Sequence, residues 1–262
     1  MAVTRRSGSV FDRLGVKRVI NGQSWVTALG GSIMPPEVVQ AMAEAANAFV
    51  DMDELNRKAG EVIARLTGAE AGMVTAGASA GIVLQVAACM TGTDHAKVAQ
   101  LPDTTGMKNE VIIQRSHRNR YDGAYRIPGA KLVEIGKARS TAPWELEAAI
   151  NENTAAVAYV VAPFLAQPLP LEKVVEIAHR HNVPVIVDAA AELPPVENLT
   201  RFIALGADMV TFSGGKGVRG PQSTGILAGR KDLIEAAYLN SLNYDSPHAG
   251  IGRPMKVCKE EV

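Results

Sequence analysis

The chain has 262 residues, 47% of them hydrophobic, which is enough to bury a large core. Its 27 basic and 27 acidic residues balance, so the composition gives no support for a nucleic-acid partner, and Cys89 and Cys258 lie too far apart to indicate a zinc site or a disulfide framework. No run approaches the roughly 20 apolar residues of a membrane span, and the first residues lack a signal core, so we expect a cytoplasmic protein without membrane contact.

Short apolar runs alternate with helical patterns along the chain. Residues 1–35 are glycine-rich and irregular, and Thr141 is predicted to cap a helix. The alternation indicates an α/β fold with a largely parallel sheet. Strands are predicted at 72–76, 111–115, 131–135, 155–162, 183–187, 208–212 and 225–228, and helices at 36–49, 79–90, 143–151, 171–181, 199–205 and 231–239.

Three regions follow from this pattern. Residues 1–35 form an irregular amino-terminal segment, and residues 36–240 form the large α/β domain. Residues 241–262 begin a new apolar pattern, which we interpret as the start of a smaller carboxy-terminal domain that the chain does not complete.

One lysine follows the predicted strand 208–212 in a loop of small residues, Ser213-Gly-Gly-Lys216-Gly. Glycine on both sides of Lys216 permits close backbone approach. A buried amine loses its proton more easily, which suits covalent binding of an aldehyde cofactor. Taken alone, the pattern favours a surface turn that carries a solvated lysine.

An aspartate ends the apolar stretch Val183-Pro-Val-Ile-Val-Asp188. The carboxyl end of a buried strand is where α/β sheets bind ligands. There Asp188 can pair with the pyridine nitrogen of pyridoxal phosphate and keep it protonated. A lone aspartate is more commonly a helix cap or a loop carboxylate.

Two further elements complete a candidate cofactor site. Gly77, Ala78 and Ser79 form a small-residue turn between a strand and a helix, whose free N–H groups suit a phosphate. His117 follows another predicted strand, and its flat ring can stack on a cofactor face. Each signal is weak by itself, since such turns are common and a lone histidine is more often structural.

Two competing motifs fail. Gly215-Lys-Gly-Val-Arg-Gly220 matches G-x-G-x-x-G, but Pro221 and a further strand follow where a dinucleotide site needs a helix. The P-loop pattern fails because Gly217 stands where serine or threonine should follow the lysine. A dinucleotide-binding enzyme is therefore a remote alternative.

The order of phosphate turn, histidine, strand-end aspartate and lysine loop resembles that of fold-type-I pyridoxal-phosphate enzymes. The chain is most similar to the selenocysteine-synthase-like (SelA-like) group, and within it to the ammonia-lyase branch that acts on D-glucosaminate 6-phosphate. The resemblance spans essentially the whole chain. It is carried by Val19-Ile-Asn-Gly, Leu29-Gly-Gly-Ser-Ile-Met-Pro-Pro-Glu-Val, Gly68-Ala-Glu-Ala-Gly, Ser116-His-Arg-Asn, Phe212-Ser-Gly-Gly-Lys-Gly-Val-Arg-Gly-Pro-Gln-Ser-Thr-Gly and Gly252-Arg-Pro-Met-Lys-Val.

The resemblance implies a fold and a set of cofactor contacts. The fold is the α/β large domain of an aspartate aminotransferase-like enzyme, with a mostly parallel central sheet flanked by helices. Lys216 holds pyridoxal 5′-phosphate as a Schiff base, and Asp188 binds its ring nitrogen. Ala190 and His117 pack on opposite faces of the ring, while Gly77, Ala78 and Ser79 hold the phosphate with help from Ser213.

The same resemblance implies substrate and subunit contacts. Asn21, Arg118 and Arg253 are candidates for binding a small-molecule substrate. Enzymes of this kind build their sites at dimer interfaces, so we expect a homo-oligomer in which the loop 222–224 reaches the neighbouring subunit's cofactor.

The implied reaction is α,β-elimination from a β-hydroxy amino acid or an amino-sugar acid phosphate such as D-glucosaminate 6-phosphate. Lys216 removes the α-proton, and the products are a 2-keto acid and ammonia. One alternative is selenium transfer onto seryl-tRNA, which the neutral charge and the absence of an amino-terminal tRNA-binding region oppose. Another is a truncated chain that binds the cofactor without turnover, since members of the group continue into a small carboxy-terminal domain.

Overall fold

A seven-stranded sheet is the centre of the computed structural model, which describes residues 8–241 and 250–262. The strands are β1 Ala71–Thr75, β2 Glu110–Gln114, β3 Lys131–Ile135, β4 Thr154–Val160, β5 Val185–Asp188, β6 Met209–Ser213 and β7 Gly225–Gly229. The helices are α1 Val10–Leu14, α2 Pro36–Ala45, α3 Met52–Thr67, α4 Ala78–Thr91, α5 His95–Gln100, α6 Gly123–Arg126, α7 Pro143–Ala149, α8 Leu171–Arg180, α9 Asn198–Ala204 and α10 Lys231–Asn240.

The strand order is β1-β7-β6-β5-β4-β2-β3. Strands β2 to β6 run parallel to one another, and β7 runs antiparallel to both β6 and β1. Strand β1 therefore points the same way as β6. All strands except β7 end at one edge of the sheet, which we call the carboxyl edge, and the largely parallel sheet predicted from the sequence is confirmed.

The sheet is buried on both faces, because alternate residues of a strand point to opposite sides. Ile112 of β2 packs in one apolar cluster, while its neighbours Val111 and Ile113 pack in the other. Helix α4 lies against the sheet along nearly its whole length. A Cβ on Gly81 of this helix would stand 2.2 Å from the hydroxyl oxygen of Thr211, so only glycine permits this approach.

Two local predictions were wrong. The helix predicted to reach residue 49 ends at Ala45, because the Asn47 side chain donates to the carbonyl of Ala43 and competes with further helix. Thr141 does not cap α7. Instead Glu145 accepts a hydrogen bond from the Ala142 N–H at 2.6 Å.

The sequence analysis also missed α3, which is the longest helix of the described residues. Its amino-terminal signal is plain in retrospect, since Asp51 Oδ1 accepts hydrogen bonds from the N–H groups of Asp53 and Glu54. Gly68, with φ of 69°, ends the helix.

The amino-terminal segment carries little regular structure from residue 8 to residue 35. It holds only α1 and a 3-10 turn at Thr27–Leu29, and nearly all of its side chains are exposed. The predicted boundaries at 35 and 240 stay predictions. Across the part of the chain that the structure describes, no helix combines the length and apolar character needed to cross a membrane.

Candidate active site

The carboxyl edge brings the phosphate turn and the lysine loop to either side of one residue. Gly225 opens β7 and pairs with Thr75 of β1 on one side and with Ser213 of β6 on the other. A Cβ on Gly225 would stand 2.6 Å from the carbonyl carbon of Gly77, so a larger residue would push the turn away. The turn and the loop are thereby held two strands apart.

The lysine loop, residues 214–224, closes on itself between the antiparallel strands β6 and β7. The Gly214 N–H donates to the carbonyl of Thr224 at 2.8 Å, and the Gly220 N–H donates to the carbonyl of Gly214 at 2.8 Å. Lys216 is half-buried within this loop.

Both glycines beside Lys216 are required by packing against the protein's own backbone. A Cβ on Gly215 would stand 2.4 Å from the Cα of Gln222, and one on Gly217 would stand 2.0 Å from the carbonyl oxygen of Leu193. The close approach predicted from the sequence is confirmed, and its partner here is a neighbouring loop. The backbone on both sides of Lys216 is thus held in place.

Asp188 is buried at the end of β5, between Val160 of β4 and Thr211 of β6. Its Oδ1 accepts a hydrogen bond from the Ala190 N–H at 3.0 Å. Burial raises the pKa of the Asp188 carboxyl to about 6, against the opposing effects of the Ala190 hydrogen bond and the Lys216 ammonium group.

Within the described residues, no cation makes a hydrogen bond to the Asp188 carboxyl group. A buried carboxylate is costly unless a positive charge pairs with it. The protonated ring nitrogen of pyridoxal phosphate is such a charge, so this residue fits that cofactor.

The phosphate turn presents an open helix end. Gly77 has φ of 87° and stands at the amino terminus of α4, where no side chain caps the helix. The first helical hydrogen bond runs from the Gly81 N–H to the Gly77 carbonyl, so the preceding N–H groups at 78–80 have no partner among the described residues. Ser79 is exposed beside them. This donor set fits a phosphate group.

His117 is fully buried beyond the end of β2. Its Nδ1 accepts a hydrogen bond from the Val160 N–H at 3.3 Å, so its Nε2 carries the proton and donates to Gln167 Oε1 at 3.0 Å. The ring meets Tyr159 edge-on, with 4.7 Å between centroids. Burial lowers the pKa of His117 to about 4, and the imidazole is therefore neutral at pH 7.

The ring of His117 is thus positioned by Gln167, a contact that the sequence did not suggest. In the described arrangement, protein atoms cover both faces of the ring. Stacking of His117 on a cofactor stays a prediction.

Ala190 and Ser213 lie with Asp188. The Ser213 N–H donates to the carbonyl of Ala190 at 3.4 Å, which joins the end of β6 to the loop after β5. The structure therefore brings together Lys216, Asp188, Ala190, Ser213 and, across Gly225, the turn Gly77-Ala78-Ser79. Their roles in binding a cofactor stay predictions.

The three candidate substrate residues are not joined to this group by any described contact. Asn21 is exposed and closes a local turn, its side-chain amide donating to the carbonyl of Ser24. The guanidinium of Arg118 pairs with Asp122 and Glu134, at 2.6 and 2.9 Å. Arg253 is exposed in a short 3-10 turn.

Two buried groups near Asp188 were missed by the sequence analysis. Glu192 has an enclosed Oε1 without a hydrogen-bond partner among the described residues, and burial raises its pKa. Tyr125 has a buried hydroxyl, likewise without a described partner, and burial together with the Asp188 charge raises its pKa. A signal for Glu192 existed, since it follows Asp188 within the same strand-end loop. None existed for Tyr125.

Comparisons with known proteins agree with this geometry. A family model described as SelA, L-seryl-tRNA selenium transferase, matches residues 19–244. A D-glucosaminate-6-phosphate ammonia lyase of Salmonella typhimurium is 43% identical over 97% of this chain and 67% of its own length. A 5′-C-glycyluridine monooxygenase-decarboxylase of a Streptomyces species is 38% identical over 98% of this chain and 64% of its own length.

A solved structure of D-glucosaminate-6-phosphate ammonia-lyase superposes with a TM-score of 0.89 at 42% identity, covering 98% of this chain and 68% of the other. The fold-type-I class predicted from the sequence is therefore confirmed. The chain spans about two thirds of the length of these relatives. Their names describe different reactions, so the family alone does not identify the chemistry.

Proposed function

The chain belongs to the L-seryl-tRNA selenium transferase (SelA) family, and on that premise we propose that it is a pyridoxal-phosphate-dependent ammonia-lyase. Its substrate is D-glucosaminate 6-phosphate or a related amino-sugar acid phosphate. The reaction is an α,β-elimination that gives a 2-keto acid and ammonia.

One observation carries the proposal. The Lys216 loop adjoins the buried Asp188 carboxyl at the carboxyl edge, across Gly225 from the open end of α4. A site for pyridoxal phosphate needs three features: an amine for the covalent bond, a partner for the ring nitrogen and hydrogen-bond donors for the phosphate. The 43% identity to an ammonia lyase supports elimination over selenium transfer.

We assign each of these features to residues of the chain. Lys216 holds the aldehyde carbon, Asp188 holds the ring nitrogen, and the turn Gly77-Ala78-Ser79 holds the phosphate with Ser213 beside it. Ala190 would lie against the ring, whereas His117 has both faces covered by protein atoms in the described arrangement. When bound, the cofactor supplies an electron sink for the electron pair left at the α-carbon of an amino acid.

The chain's own residues move the protons. The Lys216 amine removes the α-proton as a general base, and its fixed place in the glycine loop sets the direction of attack. The buried Asp188 carboxyl makes no hydrogen bond to a described cation, so it is available to pair with the ring nitrogen. The neutral His117 does not add a second positive charge at the site.

We further propose that the enzyme works as a homo-oligomer with active sites near the subunit interface. The amino-terminal segment touches the lysine loop, where the Ser32 N–H donates to the Gly215 carbonyl and Arg219 Nε donates to the Ile33 carbonyl, both at 3.1 Å. The same segment exposes a series of large apolar side chains that a second copy can cover. They are Val10, Phe11, Leu14, Val16, Val19, Ile20 and Ile33.

We place the protein in the cytoplasm, since a phosphorylated amino-sugar acid is a metabolite of that compartment.

The cofactor assignment is tested by covalent trapping. Purified protein is mixed with pyridoxal 5′-phosphate, reduced with borohydride, digested and analysed by mass spectrometry. We expect the pyridoxyl group on Lys216, none on a Lys216→Ala variant, and full labelling in the control Lys108→Ala, which changes an exposed lysine. A label on another lysine in the wild-type protein contradicts the assignment.

The reaction is tested separately with D-glucosaminate 6-phosphate, by assaying keto acid and ammonia. We expect both products in equal amounts from the wild-type protein and neither from Lys216→Ala. If unreduced protein loaded with the cofactor releases no ammonia from any amino-sugar acid phosphate, the elimination is wrong while the cofactor site stands.

A further inference from the structure

Glu192 lies in the loop after β5, held by contacts that fix its backbone. Its N–H donates to the carbonyl of Ala189 at 3.1 Å, and its carbonyl accepts a hydrogen bond from the buried Asn198 side chain at 2.7 Å. The next residue, Leu193, has the carbonyl oxygen against which Gly217 packs. Glu192 precedes Leu193 and Lys216 precedes Gly217, so each is next in the chain to one residue of this contact.

The carboxyl group of Glu192 has one oxygen without a partner. Its Oε1 is enclosed and makes no hydrogen bond to any described residue. A buried polar atom without a hydrogen-bond partner destabilises the fold. Such an atom indicates a donor that reaches it in another arrangement of the site.

Two cations face Glu192 and are the possible donors. Burial raises the pKa of the Glu192 carboxyl, Arg201 and then Lys216 lower it, and Asp188 is the facing carboxyl, whose ionisation Glu192 opposes. Arg201 is exposed on α9, whereas Lys216 is half-buried in the adjoining loop. No ion pair within 4.0 Å joins Glu192 to either cation in the described arrangement. The lysine side chain has a flexible four-carbon stem and can cover a short gap.

We infer that Glu192 is a positioning residue for Lys216, whose free ammonium group donates a hydrogen bond to Glu192 Oε1. The carboxylate stabilises the protonated amine, so Lys216 retains the proton it has taken until the leaving hydroxyl group needs it. The catalytic meaning of this contact rests on the proposed function. The contact itself requires only a free Lys216 amine.

The test measures the reactivity of the Lys216 amine without substrate. The full chain, freed of cofactor, is labelled with trace acetic anhydride between pH 7 and pH 11, and the acetylated peptide is quantified by mass spectrometry. Three forms are compared: wild type, Glu192→Gln and the matched control Glu197→Gln, which changes an exposed glutamate farther along the same loop.

Loss of the carboxylate removes a stabiliser of the ammonium form. We expect Lys216 to be labelled about threefold faster or more in Glu192→Gln at pH 8. Glu197→Gln should match wild type. Acetylation of Lys108 reports the general reactivity of each preparation.

Equal Lys216 labelling in wild type and Glu192→Gln overturns the inference, even if the protein proves to be an ammonia-lyase. A clear difference sustains it even if no substrate is turned over. Should Glu192→Gln fail to fold, Glu192→Ala carries the test, because it also removes the carboxylate and must increase labelling in the same direction. Unchanged labelling in that variant is equally decisive.

Discussion

Asp188 is a buried carboxyl group that makes no hydrogen bond to a cation among the described residues. Its folded-state pKa, about 6, lies above the ordinary value of 3.8 because burial disfavours the charged form. The raised pKa means that the cofactor-free fold is more stable with the Asp188 carboxyl protonated than with it ionised. Its stabilising contribution is complete below pH 3.8 and is lost as the pH rises through about 6.

Asp188→Asn should therefore stabilise the cofactor-free protein at neutral pH. The shift of about 2 units corresponds to about 3 kcal/mol, gained by the variant relative to wild type between pH 4 and pH 7. Urea unfolding of both proteins at several pH values measures this difference. Because the amide cannot hold the ring nitrogen protonated, the same variant should lose lyase activity.

The comparison between variant and wild type also removes the effect of His117. Its pKa is lowered to about 4, so its contribution is present above pH 6.5 and is lost as the pH falls through about 4. This change has the opposite sign and is common to both proteins. Parallel pH profiles for wild type and Asp188→Asn would contradict the burial argument.

The lysine loop and the loop after β5 act as one packed element at the carboxyl edge. Gly217 meets the Leu193 carbonyl, Gly215 meets Gln222, and Gly225 lets β7 pass beside Gly77. Backbone packed this tightly holds a lysine in place without help from its own side chain. The glycines near Lys216 therefore fix the place of its backbone.

Gly217→Ala tests this role. Its Cβ would stand 2.0 Å from a backbone oxygen, so the loop must move. We expect a loss of about 1–3 kcal/mol in the free energy of unfolding, together with reduced pyridoxyl labelling of Lys216 after borohydride.

The matched control is Gly220→Ala in the same loop. Its nearest neighbour would be a carbonyl oxygen at 3.4 Å, and we expect a change below about 1 kcal/mol with normal labelling. If both variants label alike, the packing of Gly217 does not position Lys216.

Across the whole molecule, many large apolar side chains are exposed on the amino-terminal segment and just after α2. Ile20 and Phe49 are fully exposed, and Ile33 is 84% exposed. Exposed apolar groups in such number are typical of an interface between copies of one chain.

We expect the full chain to sediment as a dimer or a larger assembly. The double variant Ile20→Ser, Phe49→Ser should shift it toward the monomer, because it removes two apolar anchors from the surface. Trp144→Ser, which changes a 69% exposed side chain of α7, is the control and should leave the mass unchanged. Sedimentation of the wild-type chain as a monomer would contradict the proposed interface.

The sequence by itself determined the seven strands and the sheet class, and it selected the residues that are proposed to bind a cofactor. Apolar runs such as 155–162 identify buried strands from local composition, and the residues that follow a parallel strand must lie at one edge of the sheet. Asp188, Lys216 and the turn at Gly77 were therefore predicted to lie at that edge, where the structure has them, and their cofactor roles stay predictions. The end of α2 and the existence of α3 were not predicted. The Asn47 side chain competes with further helix at the end of α2, and Asp51 caps the start of α3, but the apolar pattern shows neither effect.

Only the tertiary structure decided which groups lack partners and which are enclosed. The covered ring of His117 depends on Gln167 and Val160, the unpaired oxygen of Glu192 on the packing of two loops, and the buried hydroxyl of Tyr125 on its approach to Asp188. Burial and hydrogen-bond satisfaction arise from contacts between segments far apart in the chain. Local patterns carry no record of those contacts, and this is why Lys216 could be proposed from the sequence while the unpaired oxygen of Glu192 could not be foreseen.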